Sequence, residues 1–447
     1  MSTLPLISGR GLDDTLAWLP DGPRRVRDFL ADAAALAAIL PAGGALLNVC
    51  NDRYRFAVGF AAGLVAGKLS LQPSSQSAET LARLHADFPD VVCLTDGDFD
   101  TGELPRVDFP ARLDADPAAV SAIPRIPAAR LAAILFTSGS TGLPQAQAKT
   151  WGRLVANGRA GAAALGLDRA PHTLVGTVPV QHSYGFESTF LLALHGGCTF
   201  WSGKPFYPQD IAAALAAVPR PRMLVTTPFH LSTLLAAGIE LPPVDRLLSA
   251  TAPLSAALAA DAEARTGARL DEIYGSTESG QLACRRTTEG AAWTLLPGVA
   301  LDQAGDTTCA SGGHVEGRVA LSDVIELLPD RRFLLQGRHA DLVNIAGKRT
   351  SLAYLNHQIA AVPGVVDAAF FLPDEDAADG VTRLAAFVVA PTLDGRQLLA
   401  ELRQRIDAIF LPRPAIFVDA LPRNSTGKLP RAGLAALYAE KVQHAGR

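Results

Sequence analysis

Cysteine is sparse in this chain and never paired: Cys50, Cys93, Cys198, Cys284 and Cys309 are scattered singly, with no CxxC spacing. Over 447 residues that pattern argues against a disulfide scaffold or a zinc ribbon, and reads as reduced thiols in a cytoplasmic protein. Long apolar runs are missing too. The most apolar stretch, residues 56–71, is broken by Gly59, Gly63, Gly67 and Lys68, which argues against a membrane span and predicts a buried helix leading into a strand. Residues 1–10 lack the charged-then-apolar order of a signal peptide. Charge of one sign is concentrated nowhere. The net charge is −4 with both signs mixed, so no nucleic-acid partner is expected. No GxGxxG follows an early strand and no GxSxG elbow is present, which argues against a Rossmann-type dehydrogenase and a serine hydrolase.

What is present is enough chain for more than one core. At 447 residues it exceeds the roughly 250–300 residues that one hydrophobic core sustains. Strands are predicted over 45–50, 68–72, 91–94, 132–136, 173–178, 223–226 and 246–249, and helices over 53–66, 78–87, 154–165, 186–194, 211–217 and 229–237. This alternation predicts parallel sheet covered by helices. After Trp293 glycines crowd together (Gly298, Gly305, Gly312, Gly313, Gly317) and a strand is predicted over 333–336, which reads as an antiparallel β subdomain. Beyond Arg338 a smaller unit follows, with helices over 352–361 and 395–409 and strands over 368–372 and 383–389. The fold class is therefore α/β: a large N-terminal domain of helix-covered β-sheets plus a β subdomain, residues 1–337, and a small mobile α+β C-terminal domain, residues 338–447.

Directly after the strand over 132–136 come Thr137, Ser138, Gly139, Ser140, Thr141, Gly142, Leu143 and Pro144. Two glycines let the backbone turn its N–H groups inward and four hydroxyls add donors, which makes a nest for phosphate oxygens. A flexible Ser/Gly linker is the plain alternative, but a linker does not ordinarily separate a buried strand from a helix-prone segment. The spacing is not that of a Walker A loop, since no Gly-Lys follows where that motif needs it.

This octapeptide resembles the signature loop of the adenylate-forming superfamily of acyl-CoA and aryl-CoA synthetases. Further segments resemble that family's motifs in its order: Tyr274-Gly275-Ser276-Thr277-Glu278, then Asp323, Arg338, the loop Gly347-Lys348-Arg349, and Gly427-Lys428. The resemblance runs over residues 45–437. It implies an ATP-dependent ligase that makes an acyl-adenylate and then a thioester on a phosphopantetheine thiol. In that reading the phosphate loop holds the β- and γ-phosphates. Tyr274 stacks on adenine, Thr277 bonds the α-phosphate and Glu278 binds Mg²⁺. Asp323 and Arg338 hold the ribose, and Lys428 bridges the acid and the α-phosphate, where negative charge accumulates. Singly, each of these residues reads as a turn or a solvated charge.

Pro179-Val180-Gln181-His182-Ser183-Tyr184-Gly185 and the segment through Ala250 and Thr251 resemble the family's acid-pocket walls, with His182 as the flanking residue. These walls suit a compact flat acid, and the chain's shortness resembles the aryl ligases of bacterial aryl-polyene pigment pathways. A hydroxybenzoate or hydroxycinnamate is the implied substrate, with CoA or a holo acyl carrier protein as acceptor. A fatty acyl ligase, and an adenylate-binding protein without turnover, are the alternatives. Two positions depart from the family. Gln145-Ala146 replaces its usual Lys-Gly, leaving either Lys149 or Gln145 itself to serve the phosphates, and the hinge position carries Ala340, with charged Asp341 beside it.

Overall fold

A computed structural model describes residues 2–73, 75–137, 145–305, 307–338, 342–345, 348–373, 383–424 and 429–445. Its N-terminal part is built on two sheets. The first has six strands in the order Ala146–Thr150, Leu131–Phe136, Leu69–Gln72, Ala45–Asn48, Val91–Thr95, Arg106–Asp108, parallel except for the first pair. The apolar stretch at 56–71 is here the buried helix Arg53–Val65 running into the strand Leu69–Gln72, as its broken hydrophobicity predicts. Asp52 caps that helix by accepting the Arg55 N–H.

The second sheet has eleven strands. Its centre is parallel, in the order Arg269–Ser276, Arg246–Ser249, Arg222–Thr226, Thr173–Gly176, Thr199–Trp201, Thr15–Leu19, with antiparallel strands added at both ends. These central strands are mostly buried, which explains why they read as short apolar runs without alternation. Their C-terminal ends lead into His182–Gly185, Ala250–Thr251 and Thr277–Glu278, where an open parallel sheet forms its crevice. Between the sheets Phe56, Phe60, Phe186 and Phe190 pack with ring centroids 5.1–6.5 Å apart and lock the helical segment after His182 in place.

The glycine-rich region past Trp293 forms the antiparallel sheet Val299–Ala304, Thr307–Gly312, Arg318–Ala320, as expected. The C-terminal part has its own core around Leu355, Ile359, Phe370, Leu384, Leu398 and Leu402. Its sheet joins Asp367–Phe371, Ala385–Val389 and Ala415–Phe417.

Three expectations differ from the structure. The phosphate segment does not run from strand to helix: the strand Ala146–Thr150 intervenes and pairs antiparallel with Leu131–Phe136. The helix over 186–194 opens one turn earlier and is π-helical over Phe186–Leu191. The helix over 395–409 stops at Arg403, because the Asp407 carboxylate takes the Ile409 N–H and starts a separate turn, Ala408–Phe410. No helix among the described residues is long and apolar enough to cross a membrane.

Candidate active site

Two motifs far apart in sequence meet at the end of the parallel strands. Ser183 Oγ and Thr277 Oγ1 lie 3.3 Å apart, so the segment after His182 and the segment after Tyr274 are in contact there. The first is tied back by Gln181, whose side-chain amide donates to the Cys50 carbonyl at 2.6 Å. His182 precedes the helical turn Ser183–Gly185, and its carbonyl accepts the Phe186 N–H at 2.8 Å. Gly185 is required by packing: a Cβ there would stand 2.0 Å from the Pro179 carbonyl oxygen. Tyr184 is buried with its hydroxyl donating to the Leu248 carbonyl at 3.0 Å, so it contributes a ring to the wall and its polar end is already engaged. Burial holds its phenol well above the ordinary range.

Ala250 and Thr251 follow the strand Arg246–Ser249. Thr251 adopts φ 79°, rare for a β-branched residue, and its hydroxyl is buried with no hydrogen-bond partner among the described atoms. Strain of this kind concentrates at binding sites.

On the nucleotide side, Tyr274 donates its hydroxyl to Asp323 Oδ2 at 2.8 Å. Its ring packs against Trp293 and Phe333, with centroids 5.7 and 5.5 Å away. Asp323 in turn is the cross-strand partner of Arg338. Asp323 and Arg338 thus lie on adjoining strands, and Tyr274, separated from that pair by two strands of the same sheet, reaches Asp323 through its hydroxyl. Gly275 and Ser276 end the strand Arg269–Ser276, and Ser276 shares a hydrogen bond with Ser279. Thr137 N–H donates to the Gln145 carbonyl at 3.0 Å and the Gln145 N–H returns to Thr137 Oγ1 at 3.3 Å, closing the neck of the hairpin. Ser138, Gly139, Ser140, Thr141 and Gly142, together with Ala340, Asp341, Gly347 and Lys428, lie outside the described residues.

The expectation that Lys149 substitutes for the missing phosphate-loop charge is corrected by its position. Its side chain is buried, and the ammonium donates to the main-chain oxygen of Glu278 at 2.7 Å. Desolvation lowers its pKa, opposed by Glu187, Glu316 and Glu278. Glu187 was not singled out by sequence, although a glutamate inside an apolar run was the available signal. Burial pushes its carboxyl up to about 7 despite Lys149, Asn157 and the Gln281 N–H.

Among the described residues no group of three or more His, Cys, Asp or Glu is placed to hold a metal ion. Glu278 supplies a single hard-oxygen carboxylate beside the phosphate hairpin. That donor set fits Mg²⁺, which takes one or two carboxylates and completes its shell with phosphates and water.

The family model described as AMP-binding enzyme matches residues 23–306, and the model described as AMP-binding enzyme C-terminal domain matches residues 355–428. A 4-coumarate–CoA ligase of Rhodobacter capsulatus is 32% identical over 301 residues, 66% of this chain and 74% of that protein. Among solved structures, ATP-bound MatB from Rhodopseudomonas palustris superposes with a TM-score of 0.81 at 21% identity, covering 96% of this chain and 97% of that one. The o-succinylbenzoate CoA synthetase of Bacillus subtilis, in complex with its acyl-adenylate, also gives 0.81, at 17% identity over 97% and 98%.

Proposed function

We propose, from the premise that this chain belongs to the AMP-binding enzyme family and is an ATP-using acid–thiol ligase, that its acid is a small aryl acid of the hydroxycinnamate or hydroxybenzoate type. The acceptor is a phosphopantetheine thiol, on CoA or on a holo acyl carrier protein. The observation that carries the reading is the contact of Ser183 and Thr277, 3.3 Å apart, which supports placing the acid beside the nucleotide. The residues assigned to the acid's surroundings, Tyr184, Gly185, Ala250 and Thr251 beside His182, are small apart from one aromatic ring, which suits a compact planar acid. A relative named 4-coumarate–CoA ligase agrees with that class.

The assigned chemistry has two steps. A carboxylate oxygen of the acid attacks the α-phosphorus of ATP, forming the acyl-adenylate while pyrophosphate leaves. The thiol then attacks the acyl carbonyl, its proton is lost, and AMP leaves. In the first step the chain holds the triphosphate through Thr137 and residues 138–142. Tyr274 faces the adenine, Asp323 and Arg338 take the ribose, and Thr277 bonds the α-phosphate. Glu278 is the Mg²⁺ ligand, and the ion supplies charge neutralisation of the phosphates. Lys428 neutralises the attacking carboxylate and the α-phosphate together. The division at residues 337/338 belongs to the same proposal. The smaller unit turns after adenylation, withdrawing Lys428 and bringing residues 347–349 to the thiol path.

The test is pyrophosphate release over hydroxycinnamates, hydroxybenzoates and fatty acids of graded length, with CoA and a holo carrier protein offered in parallel. Fastest turnover with an aryl acid is expected. Fastest turnover with a fatty acid overturns the substrate class, and the preferred thiol identifies the acceptor.

A further inference from the structure

A lysine at position 149 is unfavourable on local grounds. It lies on the strand Ala146–Thr150, is 6% exposed, and an aliphatic side chain there avoids the desolvation of an ammonium. A bulge between Lys149 and Thr150 shifts the strand register at that point, and bulges re-aim side chains beside active sites. What the side chain reaches is the main-chain oxygen of Glu278, at 2.7 Å.

The surroundings of that contact are polar and closed. Glu187, on the π-helical segment, accepts from Asn157 and from the Gln281 N–H, and its charge faces Lys149. Gln281 also donates to Ser188 Oγ at 2.9 Å, and its carbonyl meets His314 Nε2. Thr150 donates through both its N–H and its hydroxyl to Glu316, at 2.7 and 2.6 Å, fixing the next residue of the same strand. Gly280, at φ +73°, leaves no slack: a Cβ there would come 2.8 Å from Asn157 Nδ2 and 3.3 Å from Glu187 Oε1. A buried hydrogen-bonded network therefore closes around the turn that follows Thr277, and its lysine is four residues from Gln145, which bonds Thr137.

The geometry points to Lys149 as a positioning residue: it fastens the strand Ala146–Thr150 to the Glu278 main chain, so that the Glu278 carboxylate meets Mg·ATP from a fixed position. This rests on the reading of Glu278 as the Mg²⁺ ligand. The lysine acts through Glu278.

The test uses the full chain and ATP binding measured by calorimetry, with and without Mg²⁺ and with no acid present. Lys149→Met is expected to lose about tenfold in ATP affinity with Mg²⁺ and less than about twofold without it, as for one lost charge-assisted hydrogen bond. The double variant Lys149→Met/Glu187→Leu removes both buried charges, so its melting temperature recovers while the tenfold loss stays. Recovery of Mg²⁺-dependent affinity in the double variant overturns the inference, because Lys149 then only balances Glu187. Glu278→Gln separates the two readings. If it keeps the wild-type gain from Mg²⁺, the role given to Glu278 falls and the inference with it. If it loses that gain while the Lys149 variants retain it, only the role of Lys149 falls.

Discussion

A single hydroxyl distinguishes Tyr274 from phenylalanine, and it is bound to Asp323 at 2.8 Å. Tyr274→Phe keeps the ring against Trp293 and Phe333 and removes only the bond that orients the carboxylate. A hydrogen bond to a charged acceptor contributes about 1.5–3 kcal/mol, so KM for ATP is expected to rise about tenfold with kcat within about twofold. Steady-state pyrophosphate release checks this, and a fall in kcat with KM unchanged places the bond in the transition state instead. Thr251 gives a different signature. At φ 79° its side chain is strained, so Thr251→Gly is expected to raise stability by about 1 kcal/mol in denaturant titration. Thr251→Ala keeps the strain. Both variants should weaken the acid, raising its KM, and leave KM for ATP unchanged; an unchanged acid KM in both removes Thr251 from the pocket wall.

At the scale of elements, legibility followed the strength of local pattern. The helix expected over 78–87 is Ala78–Asp87 and the strand over 246–249 is Arg246–Ser249, because cap and buried run each mark their own ends. The strand Ala146–Thr150 was missed since Ala-Gln-Ala-Lys-Thr has little β propensity; its pairing with Leu131–Phe136 creates it. The nucleotide motifs were readable because their residues are contiguous or follow one another in the order of a known family's motifs. Glu187 was not, and Lys149 was named without its contact to Glu278, because that meaning lies in a burial that only the tertiary fold creates. The helical segment Ser183 to His195 carries a further consequence of burial. His195 shares a hydrogen bond with Ser8 at 3.0 Å and packs edge-on against Trp151. Desolvation, reinforced by Arg159, lowers its pKa from 6.5 to about 3. The folded state therefore keeps it neutral, so the stability it contributes is complete above pH 6.5 and is lost as pH falls from 6.5 towards about 3. His195→Gln, neutral throughout, should flatten that loss by one proton, about 1.4 kcal/mol per pH unit. Urea unfolding at a series of pH values in that window measures the slope, and an unchanged slope sends the proton uptake elsewhere.

Across the whole molecule, the proposed reaction has the smaller unit decide which of its two steps is served. Arg338 ends a strand paired to Asp323, and shortly beyond it Ser351 Oγ donates to the Gln336 carbonyl at 3.2 Å. That bond ties the start of the smaller unit to the strand that carries Arg338, and the proposed rotation would have to be absorbed between them. Lys428 is the last residue of the C-terminal family match, and in the proposed reaction it is needed only while carboxylate and α-phosphate repel each other. Lys428→Ala is accordingly expected to lower adenylation by at least about 100-fold, and to leave thioester formation from supplied acyl-adenylate within about threefold. A proline at the pivot should do the opposite. Asp341→Pro fixes φ where the turn takes place, so adenylate still forms and accumulates while transfer to the thiol fails. Quenched-flow measurement of adenylate and thioester in the two variants gives crossed patterns if the unit rotates about 339–341. Equal loss of both steps in each variant means that Lys428 and the pivot serve a single arrangement, and the two-position cycle is then abandoned.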